Sequence, residues 1–123
     1  MVQVVAPPGW PAPVPPAGVP GWEEAAVRWL LDVCPPEFRS YGVLRRHAVV
    51  LARFAAAHVD AGLAASRTGL GEARTSLRDH VAPETVEAAV AAWEREIARL
   101  IALRRSVGLV EDAVRGRRFR PRL

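Results

Sequence analysis

Two long stretches of the chain, residues 41–79 and 83–115, repeat apolar residues every three or four positions, which is the spacing that buries one side of an α-helix. The second stretch has the more regular stripe, which comprises Val86, Val90, Trp93, Ile97, Leu100, Leu103, Val107, Val110 and Val114. Pro83 suits the first turn of a helix and would interrupt a continuous one. The pattern therefore predicts a long antiparallel helical hairpin that turns at Ala82–Pro83 and has a coiled-coil-like seam.

Charged residues provide a test of this hairpin. If the two helices pack antiparallel about residue 82, four pairs of opposite charge face each other in one register: Arg53 with Glu111, Asp60 with Arg104, Arg67 with Glu96, and Arg78 with Glu87. Each exposed pair contributes at most about 1 kcal/mol. We therefore expect the charges to select the register while the apolar seam supplies the stability.

Residues 1–21 contain seven prolines and no charged residue. Proline at this density excludes an α-helix and favours either an extended, polyproline-II-like strap or a disordered tail. Trp10, Pro13 and Pro16 are the candidate contact residues of such a strap, which could lie on the helices or on a partner protein. Pro13 and Pro16 also fit a PxxP pattern, but such matches arise by chance in a Pro-rich segment.

The remaining sequence divides into a domain over residues 22–115 and a tail over residues 116–123. A short helix over 22–33 begins after Gly21, has Glu23 and Glu24 in its first turn, and ends before Pro35. It is too short to cover the hairpin, so we expect it to pack at the open end. Gly69 and Gly71 predict a kink or break in the second helix near 68–71. The predicted fold is all-α, with helices at about 22–33, 41–79 and 83–115.

The basic charge of the chain is concentrated in its tail. The net charge is +4, and residues 115–123 supply five of the 17 arginines and no acid, so residues 1–114 sum to −1. The chain has no Lys and no Asn, which we interpret as the codon bias of a high-GC bacterial genome. The candidate contacts for nucleic acid or a partner are Arg115, Arg117, Arg118, Phe119, Arg120 and Arg122. Alternatively, the first of these arginines complement the helix dipole, with Gly116 as the C-cap.

The sequence gives no sign of an oxidising or membrane environment. Cys34 is the single cysteine, so no intrachain disulfide can form. The N-terminal stretch has no basic residue ahead of its apolar positions and is interrupted by proline, unlike a secretory signal. The uncharged run from Ala48 to Ala52 ends at Arg53, far short of the ~18 residues that span a bilayer. We expect a cytoplasmic protein without membrane insertion.

The residues that could support chemistry are scattered. His47 and His58 lie eleven positions apart, about 16 Å along a helix, which is too far for one metal ion. Asp79, His80 and Glu84 meet at the predicted hairpin tip, where helix capping or a partner contact is a simpler role than acid–base catalysis. The sequence therefore predicts no enzyme, no metal site and no cofactor.

The functional hypothesis follows from the length of the predicted helices. The hairpin arms have more apolar surface than the short helix can cover, and alanines at 55–57, 64–65, 88–89 and 91–92 leave a smooth surface for a further helix. We expect a non-enzymatic interaction or assembly protein that docks onto another protein or onto a second copy of itself. The alternative is a nucleic-acid-associated protein anchored by the Arg-rich tail.

Overall fold

The computed structural model describes residues 4–117, and every regular element within them is helical. Helix α1 spans Trp22–Val33, and a short 3-10 helix spans Pro36–Ser40. Helix α2 spans Gly42–Arg46, α3 spans Ala48–Leu77 and α4 spans Pro83–Val114. The predicted all-α fold class is confirmed.

Helices α3 and α4 pack along each other as the two arms of a hairpin. Two predicted ion pairs lie between them: Arg53 Nε is 3.3 Å from a Glu111 carboxylate oxygen, and Arg104 Nε is 2.8 Å from Asp60 Oδ1. Both pairs lie in the half of the hairpin near its open end.

The two ion pairs predicted closer to the tip are replaced by others. Glu96 pairs with Arg99 of its own helix, and Glu87 pairs with Arg74 at 2.9 Å. Helix α3 ends at Leu77 and α4 begins at Pro83, so the turn is centred near residue 80. The predicted register, which is symmetric about residue 82, therefore holds only at the open end. Near the tip, the two helices pair in a different register.

The helix predicted over 41–79 is divided in two. His47 has φ −130° and ψ 95°, an extended conformation that separates α2 from α3. The break lets α2 place Leu44 in the core, where it is completely buried, while α3 starts in a new direction. The apolar spacing of Leu44, Ala48 and Leu51 continues across this break, which is why the sequence predicts one helix.

The core lies at the open end of the hairpin, where α1 packs on α3 and α4. Its largest fully buried side chains are Leu30, Leu44, Leu51, Val59, Val107 and Val110. Ala26, Ala52, Ala55 and Ala56 are also completely buried, so small side chains allow the helices to approach closely here. This arrangement leaves the half of the hairpin near the tip as a two-helix arm.

The N-terminal segment forms turns and packs against the helices. Backbone hydrogen bonds join Trp10 N to Pro7 O, Val14 N to Pro11 O, and Val19 N to Pro16 O. The Val14 side chain is 2% exposed and belongs to the core. These turns replace the extended polyproline-II conformation that the prolines alone suggest.

Helix α4 holds the same segment through two of its side chains. Ser106 Oγ donates to Gly9 O at 2.6 Å, and Arg105 donates to Pro8 O at 3.1 Å. Gly9 has φ +92°, a conformation that favours glycine, and a Cβ there would lie 2.8 Å from Arg105 Nε. The segment is therefore anchored to α4 at a position that strongly favours glycine.

The predicted kink at 68–71 is wrong, because α3 is continuous through both glycines. Gly69 has a packing role: a Cβ at this position would lie 2.6 Å from Cζ2 and 2.7 Å from Cε2 of Trp93. The indole ring of α4 therefore rests against bare backbone. At Gly71, no neighbouring atom of residues 4–117 lies within 4 Å of the point that a Cβ would occupy, so that glycine has no such role among them.

We expect alanine at these two glycines to have opposite effects on stability. Gly71→Ala gains the helix propensity of alanine and should raise the free energy of unfolding by about 0.5–1 kcal/mol. Gly69→Ala makes the same gain but must displace the rigid Trp93 ring, an overpacking cost of about 1–3 kcal/mol, so it should be net destabilising. Urea unfolding of the two variants would measure the difference. Equal effects would show that Trp93 does not rest on Gly69.

Candidate functional site

The side of α3 that faces away from the core has an exposed stripe without charge. Its residues are spaced alternately three and four positions apart and are all exposed: Phe54, Ala57, Ala61, Ala64, Thr68, Gly71 and Thr75. We call this stripe the outer face of α3. Phe54, which is 42% exposed, is its one large side chain. The spacing is the heptad spacing by which helices pack on other helices.

Helix α4 has the ordinary composition of a solvent-facing helix. Its exposed residues include Glu84, Glu94, Arg95, Arg99 and Arg105. Charges normally occupy the side of a helix that faces water. The outer face of α3 has no charge and therefore differs from the exposed side of α4 in the same hairpin.

Charged residues flank the outer face of α3, and most of them are bound to α4. Arg53, Asp60 and Arg74 make ion pairs with Glu111, Arg104 and Glu87. Arg67 and Glu72 are also exposed, and within residues 4–117 neither makes an ion pair. Between Phe54 and Thr75, the outer face thus has one unpaired charge of each sign beside it.

Helix α3 is also unusually apolar for its degree of exposure. It contains an 18-residue window of mean hydropathy 1.4, of which 28% is buried in the fold. Within residues 4–117, it is the one helix that is long and apolar enough to cross a membrane on length and composition alone, which is weak evidence for such a role. The absence of membrane insertion stays a prediction.

A half-open groove of about 410 Å³ lies where α1 ends and the two-helix arm begins. Residues of three helices line it: Trp29, Asp32, Val33, His58, Val59, Gly62, Ser66, Glu96, Arg99, Leu100 and Leu103. The lining combines apolar side chains with charged and polar ones. This volume is at the lower end of the range typical of ligand pockets.

The charged groups of the groove already have partners. Arg99 donates to both carboxylate oxygens of Glu96, at 2.7 and 2.8 Å, and this hydrogen bonding lowers the pKa of Glu96. Asp32 pairs with Arg39 at 2.7 Å. Within the part of the chain that the structure describes, no group of three His, Cys, Asp or Glu residues could hold a metal ion.

An aromatic cluster adjoins the groove. Phe38 contacts Phe54 edge-on at a centroid distance of 5.8 Å and also contacts Tyr41 and His58, at 6.0 and 6.2 Å. Tyr41 is 51% exposed. His58 therefore packs against an aromatic ring, and the cluster fixes Phe54 at one end of the outer face of α3.

The predicted strap contacts have different environments. Trp10 is half-buried, donates from Nε1 to Val14 O at 2.8 Å and packs beside Trp22 at a centroid distance of 6.4 Å. Pro13 is exposed, and Pro16 is half-buried in a turn. Val14, which the sequence did not single out, is the residue that carries this segment into the hydrophobic core.

The predicted tip residues lie in the turn between α3 and α4 and at the start of α4. Asp79, His80 and Glu84 are all exposed. His80 N donates to Leu77 O at 2.9 Å, which closes the last turn of α3. Among residues 4–117, no side-chain hydrogen bond caps α4 at its N-cap, Ala82, so the capping role that the sequence suggests for the tip acids is not found there.

The described part of the Arg-rich tail is bound to α4. Arg115 pairs with Glu111, and Arg117 pairs with Asp112 at 3.0 Å. Arg115 is the C-cap of α4, and Gly116 follows it with φ +88°, the left-handed conformation in which many helices end. The other candidates in the tail, which are Arg118, Phe119, Arg120 and Arg122, lie outside the described residues.

Cys34 is buried at the end of α1, with its backbone N–H bound to Leu30 O and Leu31 O. Burial raises the pKa of its thiol, and the nearby Arg39 lowers it by a smaller amount. The thiol therefore stays protonated at neutral pH, which suits a small core residue rather than a nucleophile.

The outer face of α3 was not predicted from the sequence, because all alanines were treated as equivalent. Ala55 and Ala56 were expected on a smooth outer surface, but both are completely buried, whereas Ala57 and Ala64 are exposed. The sequence did contain a signal for this face: none of the residues at heptad spacing from Phe54 to Thr75 is charged. A search against protein families, curated proteins and solved structures finds no match to this chain.

Proposed function

We propose that this protein is a non-enzymatic interaction or assembly protein and that a helix of its partner docks on the outer face of α3. The observation that supports this most directly is the exposed, uncharged stripe from Phe54 to Thr75. Charged residues on this face would increase the solubility of the protein without disturbing the packing of the core. Their absence over three heptads is typical of a helix that another helix covers.

The chemistry of the stripe specifies the kind of partner. Alanine, glycine and threonine project little from the helix, so a second helix can approach to an axis separation near the lower end of the usual 8–10 Å. The exposed ring of Phe54 provides one larger anchor at the end nearer the base. A lipid surface would favour large apolar side chains, which the rest of the stripe lacks.

The remaining elements act as the scaffold for this surface. The hairpin is a coiled-coil-like support for α3, since α4 takes up the charges that flank it. The N-terminal segment is a strap that links α1 to α4 through Val14, Gly9 and Ser106. Both roles are part of the proposal.

A nucleic-acid role receives less support. Arg115 and Arg117 are neutralised by acids of α4, and the charge of the body outside the tail is close to zero. A basic surface that binds phosphates requires unpaired cations on one face. An enzymatic role receives little support too, because the charged groups that line the groove are engaged in ion pairs.

Placing a charge in the stripe tests the proposal. Ala64→Arg should weaken partner binding by about tenfold or more, because a guanidinium would have to be desolvated at the centre of the contact. Ala98→Arg makes the same change at an exposed position of α4 and should leave binding unchanged. Binding would be measured by light scattering for self-association and, for other partners, by quantitative capture from native extract followed by titration of the purified pair.

Both variants should keep the helical circular dichroism of the wild type, since both positions are exposed. If Ala64→Arg and Ala98→Arg retain the same associations as the wild type, the outer face of α3 is not the docking surface and the proposal fails.

A further inference from the structure

We propose that the partner on the outer face of α3 is the same face of a second copy of this chain, packed parallel and in register. This inference rests on the proposed function and names the occupant of its surface. Core, α1 and α4 pack on the opposite side of α3. Phe38 of the 3-10 helix contacts Phe54 edge-on and leaves it 42% exposed, so two copies can meet through α3 without displacing these elements.

In a parallel, in-register pair, each stripe residue meets its own counterpart. Ala57, Ala61 and Ala64 bring the two backbones close, and Gly71 continues the close approach toward the tip. At the other end, Phe54 meets Phe54 of the second copy. The contact then consists of one aromatic layer at the base end followed by layers of small residues.

The charges beside the stripe favour this orientation. Arg67 precedes the stripe residue Thr68, and Glu72 follows the stripe residue Gly71, so the two lie on opposite flanks and five positions apart. In a parallel coiled coil, the flanking residue of one helix faces the residue five positions further along the other helix. Arg67 therefore faces Glu72 of the second copy, and symmetry forms this pair twice.

Arg67 and Glu72 suit this role because they are otherwise unpaired among residues 4–117, whereas the other charges on the Arg67 flank are bound to α4. Within one helix, a separation of five residues places Arg67 and Glu72 too far around the axis to pair. The second copy offers each of them a partner of opposite charge.

In antiparallel registers, the same charges are paired less favourably. If Ala64 packs on Thr68 of the second copy, Arg67 faces its own counterpart, and like charges repel. If Ala61 packs on Ala64 of the second copy, Arg67 faces Asp60, which already binds Arg104, and Glu72 faces the position of the buried Leu51. Of these registers, only the parallel one pairs both free charges.

Complementary charge reversals test the inference. Arg67→Glu places two acids on each side of the dimer, and Glu72→Arg places two arginines there. Sedimentation equilibrium should show each variant alone dimerising about tenfold or more weakly than the wild type. An equimolar mixture should recover the dimer, because the acid introduced at position 67 of one chain faces the arginine introduced at position 72 of the other. The native Arg67 and Glu72 of the two chains face each other on the opposite side.

Arg95→Glu is the matched control, because it reverses one exposed charge on α4 and should leave dimerisation unchanged. Each variant is expected to keep the helical circular dichroism of the wild type, since positions 67 and 72 are both exposed.

Three results would overturn the inference: a wild type that stays monomeric at ~1 mM, a mixture that recovers no dimer, or binding to phosphatidylcholine vesicles in place of dimerisation. A monomeric wild type that still binds another protein through Ala64 would overturn self-association and leave the proposed function standing.

Discussion

Leu51→Ala is expected to lower the free energy of unfolding by about 3 kcal/mol or more. Leu51 is completely buried where α3 meets α1 and α4, and its removal leaves a cavity in addition to the lost apolar burial. For a domain of this size, such a loss corresponds to a fall in Tm on the order of 10 °C. Urea unfolding followed by circular dichroism would measure it.

Val49→Ala is the matched control for this change. Val49 lies two residues earlier on the same helix and is 37% exposed, so its truncation should cost less than about 1 kcal/mol. If the two variants lost equal stability, α3 would not be oriented with Leu51 toward the core, and its outer face would be assigned to the wrong side. The stability experiment therefore also tests the surface on which the functional proposal depends.

The helices were predictable from sequence because their signals are local. The stripe from Val86 to Val114 repeats with helical spacing, and Pro83 marks the first turn of α4. The break at His47 was not predictable, because it depends on how α2 places Leu44 in the core rather than on any residue that ends a helix. The packing role of Gly69 likewise depends on Trp93, a residue of another helix.

The register was predictable in part. Arg53–Glu111 and Asp60–Arg104 follow from charge alone, but the pairs near the tip depend on where α3 ends, and the sequence placed that end two residues too late. Exposed ion pairs are also weak enough for local competitors to replace them, as Arg99 does by pairing with Glu96.

The candidate site was the least predictable feature. In the run Ala55–Ala56–Ala57, the first two residues are buried and the third is exposed, and small residues of one type give no indication of which side faces the core. The packing of α1 and α4 determines which side of α3 is buried. The absence of charge on the opposite side is therefore a property of the folded surface that composition does not reveal.

Val14→Asp should release the N-terminal segment from the helices and lower the free energy of unfolding by about 2 kcal/mol. Burying a valine side chain contributes about 1.5–3 kcal/mol, and the half-buried Trp10 adds to the anchoring of the segment. The loss is limited to the binding energy of the segment, because a detached segment exposes the aspartate to water and avoids burial of a charge.

Two observations separate this result from general unfolding. The helical circular dichroism should stay unchanged, whereas proteolysis within residues 4–21 and the fluorescence of Trp10 and Trp22, which pack 6.4 Å apart, should change. Ala12→Asp introduces the same charge at an exposed position two residues away and should behave as the wild type. Equal stability of Val14→Asp and Ala12→Asp would show that the Pro-rich segment does not brace α1 and α4, since Val14, unlike Ala12, occupies the core.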